Sequence, residues 1–254
     1  MAPAFGQTAW YSNQPDGYVI VNGDTLFHYK GEIPNGGVID DFPAQIKKIA
    51  GSAFSYDPAH LFSSTATNLV SIEIPDGVQL ADESIFSDCK SLQHVRLPGD
   101  LTVIPKETFS GCIALESIEI PQSVEVIEES AFLRCKNLQS ITLHEGITTI
   151  GKFAFSNCES LTKLYFPDSI KTADFTTLPS ALKEVILPVT MNNVTWFGAN
   201  TVVYYRGSEE RWQTDFPNVR GGIWYFYVEN EADLPADGGN YWHFAPDGKT
   251  PLAW

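Results

Sequence analysis

The sequence lacks any run of 18 or more apolar residues, so it offers no helix that would span a bilayer. It is also short of basic residues. Against 31 Asp and Glu stand 16 Lys and Arg, a formal charge of −15, which repels phosphate backbones and anionic lipid surfaces. Nucleic acid and membrane insertion are therefore excluded as expectations. Neither G-x-G-x-x-G nor the P-loop pattern occurs, so no motif cradles a phosphate. The four cysteines include no C-x-x-C pair and have no nearby histidine partners, so no metal or cofactor is expected. Met1-Ala-Pro-Ala-Phe-Gly-Gln lacks the basic and apolar regions of a secretory leader, and the first Lys is Lys30.

What the sequence does contain is a repeat. Phe86, Phe109, Phe132 and Phe155 recur at one constant interval, and Cys89, Cys112, Cys135 and Cys158 follow each Phe by three. Leu92, Leu115, Leu138 and Leu161 come next, then Val95, Ile118, Ile141 and Leu164, then Leu97, Ile120, Leu143 and Phe166. Each unit reads F-x-x-C-x-x-L-x-x-I-x-L-P, with His144 in place of Pro once. A second apolar pair (Leu101/Ile104, Val124/Ile127, Ile147/Ile150) leads back to the next Phe. The register loosens at both ends. Ile46, Ile49 and Phe54 open a unit enlarged by an insertion before Leu69, and Leu182-x-x-Val185-x-Leu187-Pro188 arrives early.

One such unit cannot bury its own apolar residues, whereas stacked units form columns of Phe, Cys, Leu and Ile that share a core. The L-x-x-I-x-L stretch alternates with period 2, as a strand with one face inward does. In-register strands then make a parallel sheet along the stack. The A-F-x-x-C stretch is expected as a short turn of helix or 3₁₀. The fold class that follows is a leucine-rich-repeat solenoid, mainly β with short helical or 3₁₀ turns, in a right-handed arc with β-rich caps at both ends. Its expected organisation is an N-terminal β-hairpin cap over 1–45, about six coils over 46–188, and an aromatic-rich β cap over 189–254.

Tandem 23-residue units of this order resemble the BspA-like leucine-rich repeats of bacterial cell-surface proteins, over roughly residues 46–188. The resemblance implies a non-enzymatic, extracellular or surface-displayed interaction protein, with an export signal trimmed from this chain. It implies a protein partner, host or bacterial, bound in adhesion. The alternatives are carbohydrate or cell-wall binding through the C-terminal aromatics, and a passive surface spacer.

Three sets of residues carry the site expectations. Cys89, Cys112, Cys135 and Cys158 share one inward register at ~4.8 Å spacing, wider than a disulfide prefers, and are expected as buried free thiols. The outward residue at mid-strand runs Glu73, Arg96, Glu119, Thr142, Tyr165, Ile186. Its first three members alternate in sign and are expected to pair across strands. Thr142, Tyr165 and Ile186 form the candidate protein-binding surface, the alternative being that the C-terminal cap covers Tyr165 and Ile186; Trp224 with Trp242 form the candidate aromatic surface for glycans, the alternative being a capping sheet.

Overall fold

The computed structural model describes residues 13–55, 68–173, 178–191, 197–216, 218–235 and 239–254. The opening stretch and the inserted residues of the first unit lie outside them. Each coil contributes one short strand to a first ladder from its L-x-x-I-x-L stretch. β3 (Val38–Ile39), β5 (Ser71–Glu73) and β7 (His94–Arg96) form one parallel run, and β9 (Ser117–Ile118) with β11 (Ser140–Ile141) a second. The third joins β13 (Lys163–Tyr165), β15 (Glu184–Leu187), β16 (Val202–Tyr205), β17 (Ile223–Tyr227), β18 (Tyr241–Phe244) and β19 (Pro251–Ala253). Among the described residues no ladder pairing joins β7 to β9, or β11 to β13.

The second apolar pair makes a ladder of its own, which periodicity alone did not assign. β8 (Val103–Ile104), β10 (Val126–Ile127), β12 (Thr149–Ile150) and β14 (Thr172–Ala173) pair in parallel, each strand one repeat after the last. Buried Ile104, Ile127 and Ile150 follow half-buried Val103, Val126 and Thr149, the pattern of a strand with one face inward. On the N-terminal side the hairpin of β1 (Gly17–Val21) and β2 (Thr25–Lys30) turns through Asn22 and Gly23, both left-handed. β2 then pairs in parallel with β4 (Lys48–Ile49), and β4 with β6 (Gln79–Leu80). The long step from Ile49 to Leu80 absorbs the insertion without shifting the ladder.

The A-F-x-x-C stretch is a chain of turns rather than a turn of helix. Backbone at the second residue before each Phe and the second after it is left-handed: Ser84 and Asp88, Glu107 and Gly111, Ser130 and Arg134, Phe153 and Asn157. That geometry aims alternate N–H groups at the next coil, as in Ser84 to Lys106 O (2.9 Å), Phe86 to Thr108 O (2.9 Å) and Asp88 to Ser110 O (2.7 Å). A helix would have spent these donors within its own coil. Among the described residues helix is confined to a distorted turn at Pro34–Gly37, to α1 (Glu209–Asp215), capped by Ser208, and to a 3₁₀ turn at Glu231–Asp233.

Inside, the phenylalanines stack. Neighbouring rings from Phe54 to Phe155 lie 5.3–5.6 Å apart and within 15° of parallel, and Tyr29 caps the stack at 6.1 Å from Phe54. Polar side chains stitch the outside of the coils together. Ser169 Oγ donates to Ile147 O (2.6 Å), Gly99 N–H donates to Asp76 Oδ1 (2.8 Å), and Lys106 N–H to Glu128 Oε2 (2.8 Å).

Over 189–254, expected as an aromatic-rich β cap, the strands prolong the first ladder. Leu164 pairs with Val185, Val185 with Val203, Val203 with Trp224, and Phe226 with Tyr241. The coils shorten and lose their repeat, yet the strands stay parallel. Antiparallel β19 ends the sheet, and Pro251 removes one N–H from its strand.

Candidate interaction surface

The outward row of the first ladder runs Glu73, Arg96, Glu119, Thr142, Tyr165 and Ile186, then continues through Tyr204 and Tyr225, which sit in register with Ile186. Sequence periodicity missed the last two because coil length becomes irregular there. Val202-Val203-Tyr204-Tyr205 does keep the strand alternation that would have found them. Ile223, one outward position before Tyr225, is 41% exposed.

The charged end does not pair as its signs suggested. Arg96 turns away from Glu73 and Glu119, donating from Nη1 to Ile74 O (3.2 Å) and forming an ion pair with Asp76 (3.3 Å). The loop after the strand offers it a carbonyl and a carboxylate at once, which two flanking side chains on a flat sheet do not.

At the aromatic end the expected residues separate. Thr142 is exposed and Tyr165 half-buried. The Tyr165 hydroxyl donates to Glu184, which also pairs with Lys163 at 3.0 Å. Burial, followed by the Glu184 carboxylate, raises the Tyr165 phenol above its ordinary range. Tyr204 is raised by burial and by the same carboxylate. Ile186 is 1% exposed, so it is not surface at all. It lies in the ladder between Tyr165 and Tyr204, two larger side chains on the same face.

The paired tryptophan surface is also corrected. Trp242 is 0% exposed, ringed by Phe244 (4.9 Å), Tyr227 (5.2 Å) and Tyr204 (5.3 Å), and its indole N–H donates to Tyr205 O at 3.0 Å. Trp224 belongs to the opposite face of the same sheet, in register with buried Val203. There it packs on Phe216 and Trp212 at 5.5 Å and on Phe197 at 5.6 Å. The two indoles thus share no platform. Arg206 lies over the Phe244 ring (4.8 Å) and pairs with Asp168, closing the outer edge of the aromatic cluster.

The four cysteines are free and buried. Each thiol donates to the carbonyl of a phenylalanine in the preceding coil: Cys89 to Phe54 O, Cys112 to Phe86 O and Cys135 to Phe109 O at 3.1 Å, and Cys158 to Phe132 O at 3.2 Å. This partner explains why a small weak donor suits the position. Burial pushes the Cys158 thiol up to about 12, and Cys89, Cys112 and Cys135 are raised as well. All four are neutral near pH 7 and poor nucleophiles.

Residues 58–181 match the BspA type leucine rich repeat region in six copies. A leucine-rich cell-surface protein from Faecalibacterium prausnitzii is 25% identical, with a TM-score of 0.47 over 80% of this chain. This chain spans 40% of that protein's length. The leucine-rich repeat protein of T. pallidum is 20% identical with a TM-score of 0.39, covering 84% of this chain and 86% of its own. The pneumococcal vaccine antigen PcpA is 15% identical with a TM-score of 0.33, covering 82% of this chain and 78% of its own. No curated protein matches the sequence.

Proposed function

Since this chain carries the BspA-type leucine-rich repeat, we propose that it is a surface-displayed or secreted interaction module that binds a protein partner on the aromatic half of its first ladder. One observation carries this reading: the outward row changes from Glu73, Arg96 and Glu119 to Tyr165, Tyr204 and Tyr225, with Ile223 exposed beside them. Half-buried tyrosines are rigid and amphipathic, so covering them releases water while fixing few rotors. The charged half offers less, because a partner there must desolvate carboxylates and a guanidinium. Adhesion to host or bacterial surface proteins is the role such a face suits. Glycan binding through Trp224 and Trp242 loses its support, since one indole is enclosed and the other faces the core.

The test is surface plasmon resonance against immobilised host extracellular-matrix proteins and bacterial surface proteins. The double variant Tyr225→Ala with Ile223→Ser should weaken a bound partner at least about tenfold, whereas Glu119→Ala should change affinity less than about threefold. A partner whose affinity ignores the double variant would place binding elsewhere and overturn the reading.

A further inference from the structure

The first ladder is interrupted between β7 and β9, and a depression of about 250 Å³ lies over the interruption. Its walls are two outward rows from three successive coils, Ser71, His94 and Ser117 on one side, and Glu73, Arg96 and Glu119 on the other. Ile72, Val95 and Ile118 lie between the two rows. Val95 holds an inward position in its strand but is only half-buried.

Some polar side chains of the solenoid are committed to its own backbone. Ser169, Asp76, Glu128 and Glu145 all spend their polar atoms on the backbone of neighbouring coils. Among the described residues Glu73, Glu119, His94, Ser71 and Ser117 make no hydrogen bond or ion pair through their side chains, although all five converge on the slot. Arg96 is the exception, and it is held. Its bonds to Ile74 O and Asp76 use two of five N–H donors, fix the guanidinium, and leave three donors for something else.

We propose that this slot binds a neutral sugar ring. The ligand class follows from the lining. Carboxylates alternate with a guanidinium along one wall, so an anion meets Glu73 and Glu119 and a cation meets Arg96. A neutral polyol meets neither penalty, and each of its hydroxyls both donates and accepts, matching carboxylate acceptors, guanidinium donors and hydroxyls that do both. The slot is open and shallow, so a single ring binds weakly, and affinity for a polymer comes from repeated engagement. The inference is independent of the tyrosine face and uses none of its residues.

The test is a titration of the isotopically labelled full chain by NMR with neutral gluco-, manno- and galacto-trisaccharides, up to about 50 mM because millimolar affinity is expected. Amide shifts confined to residues 94–96 and 117–119 are the expected result. Ser117→Leu fills the slot from an exposed strand position; it should weaken binding at least tenfold with the melting temperature unchanged. Tyr225→Ala with Ile223→Ser should leave the titration as it is, which separates this site from the protein-binding face. The proposal fails if no neutral sugar shifts these amides. It fails equally if Ser117→Leu binds as the wild type does, or if a uronic-acid trisaccharide or an Arg-containing tripeptide binds more tightly than every neutral sugar.

Discussion

The coils from Ile85 to Phe166 and those from Leu182 to Trp254 use the same ladder to solve different packing problems. In the first region every coil has the same length, and the core is a set of columns: phenylalanines stacked nearly parallel, thiols bonded to the coil before, isoleucines in register. In the second the coil length changes at almost every step, and the columns give way to rings meeting at steep angles, as Tyr205 and Phe216 do at 90°. The lesson is that a parallel backbone ladder tolerates coils of unequal length, because it needs only neighbouring strands. A columnar core does not, because each side chain must meet its own counterpart. Aromatic residues fill the second region because large rings can close irregular spaces that stacked small side chains would leave open.

Deletion breaks this comparison most severely. Removing residues 109–131 rejoins matching positions and should leave a folded, shorter solenoid, while removing 109–119 puts every column out of phase and should abolish folding. Removing 203–223, one ladder step of the second region, should unfold its end, because Trp242 loses Tyr204 and the Tyr205 carbonyl. Far-ultraviolet circular dichroism and thermal melts distinguish the three. Equal collapse of the first two would disprove modularity in the regular coils.

Single truncations come next. Phe109→Ala opens a gap in the stack and should cost about 3–5 kcal/mol in urea unfolding. Trp242→Ala should cost a similar amount, but its loss should remain in the second region, so that amide exchange speeds up over 182–254 and not over 85–166. Exchange that accelerates evenly along the chain would show that the two regions unfold as one.

Alkaline pH should act on the regular region through its thiols. A cysteine whose folded pKa is raised stays protonated when buried and ionises when unfolded. The stabilisation is therefore complete below the ordinary thiol range, near 9, and declines as pH rises toward the folded value of about 12 for Cys158. At pH 10 this one thiol should lower stability by ~1.4 kcal/mol, and Cys158→Ala should flatten that part of the profile. A thiol reagent should find four reactive groups after unfolding and almost none before.

The smallest effect concerns the left-handed turns. Arg134 is exposed, with φ 61°, at the position that Gly111 occupies one coil earlier. Arg134→Gly should stabilise the protein by ~1 kcal/mol by relieving the left-handed backbone. A lower melting temperature would mean that the arginine side chain makes a contact outweighing that relief.

The sequence by itself determined the repeat, the inward and outward sides of each strand, and the free inward thiols, because alternation and a fixed period are local properties that any stacking must respect. The family resemblance followed from the same positions. Tertiary structure alone decided what covers what. Ile186 and Trp242 have outward parity and would be surface in an isolated sheet, but Tyr204, Tyr227 and Phe244 come from coils whose lengths no period encodes. Arg96 likewise has the parity to pair with Glu73 and Glu119, and its choice of Asp76 depends on where the following loop places a carboxylate and a carbonyl. The phenylalanine carbonyl that each thiol meets is set by the preceding coil's turn, whose left-handed backbone passes through Ser, Glu and Arg as well as Gly. Parity is written residue by residue, whereas enclosure is a sum over side chains brought together only when unequal coils stack.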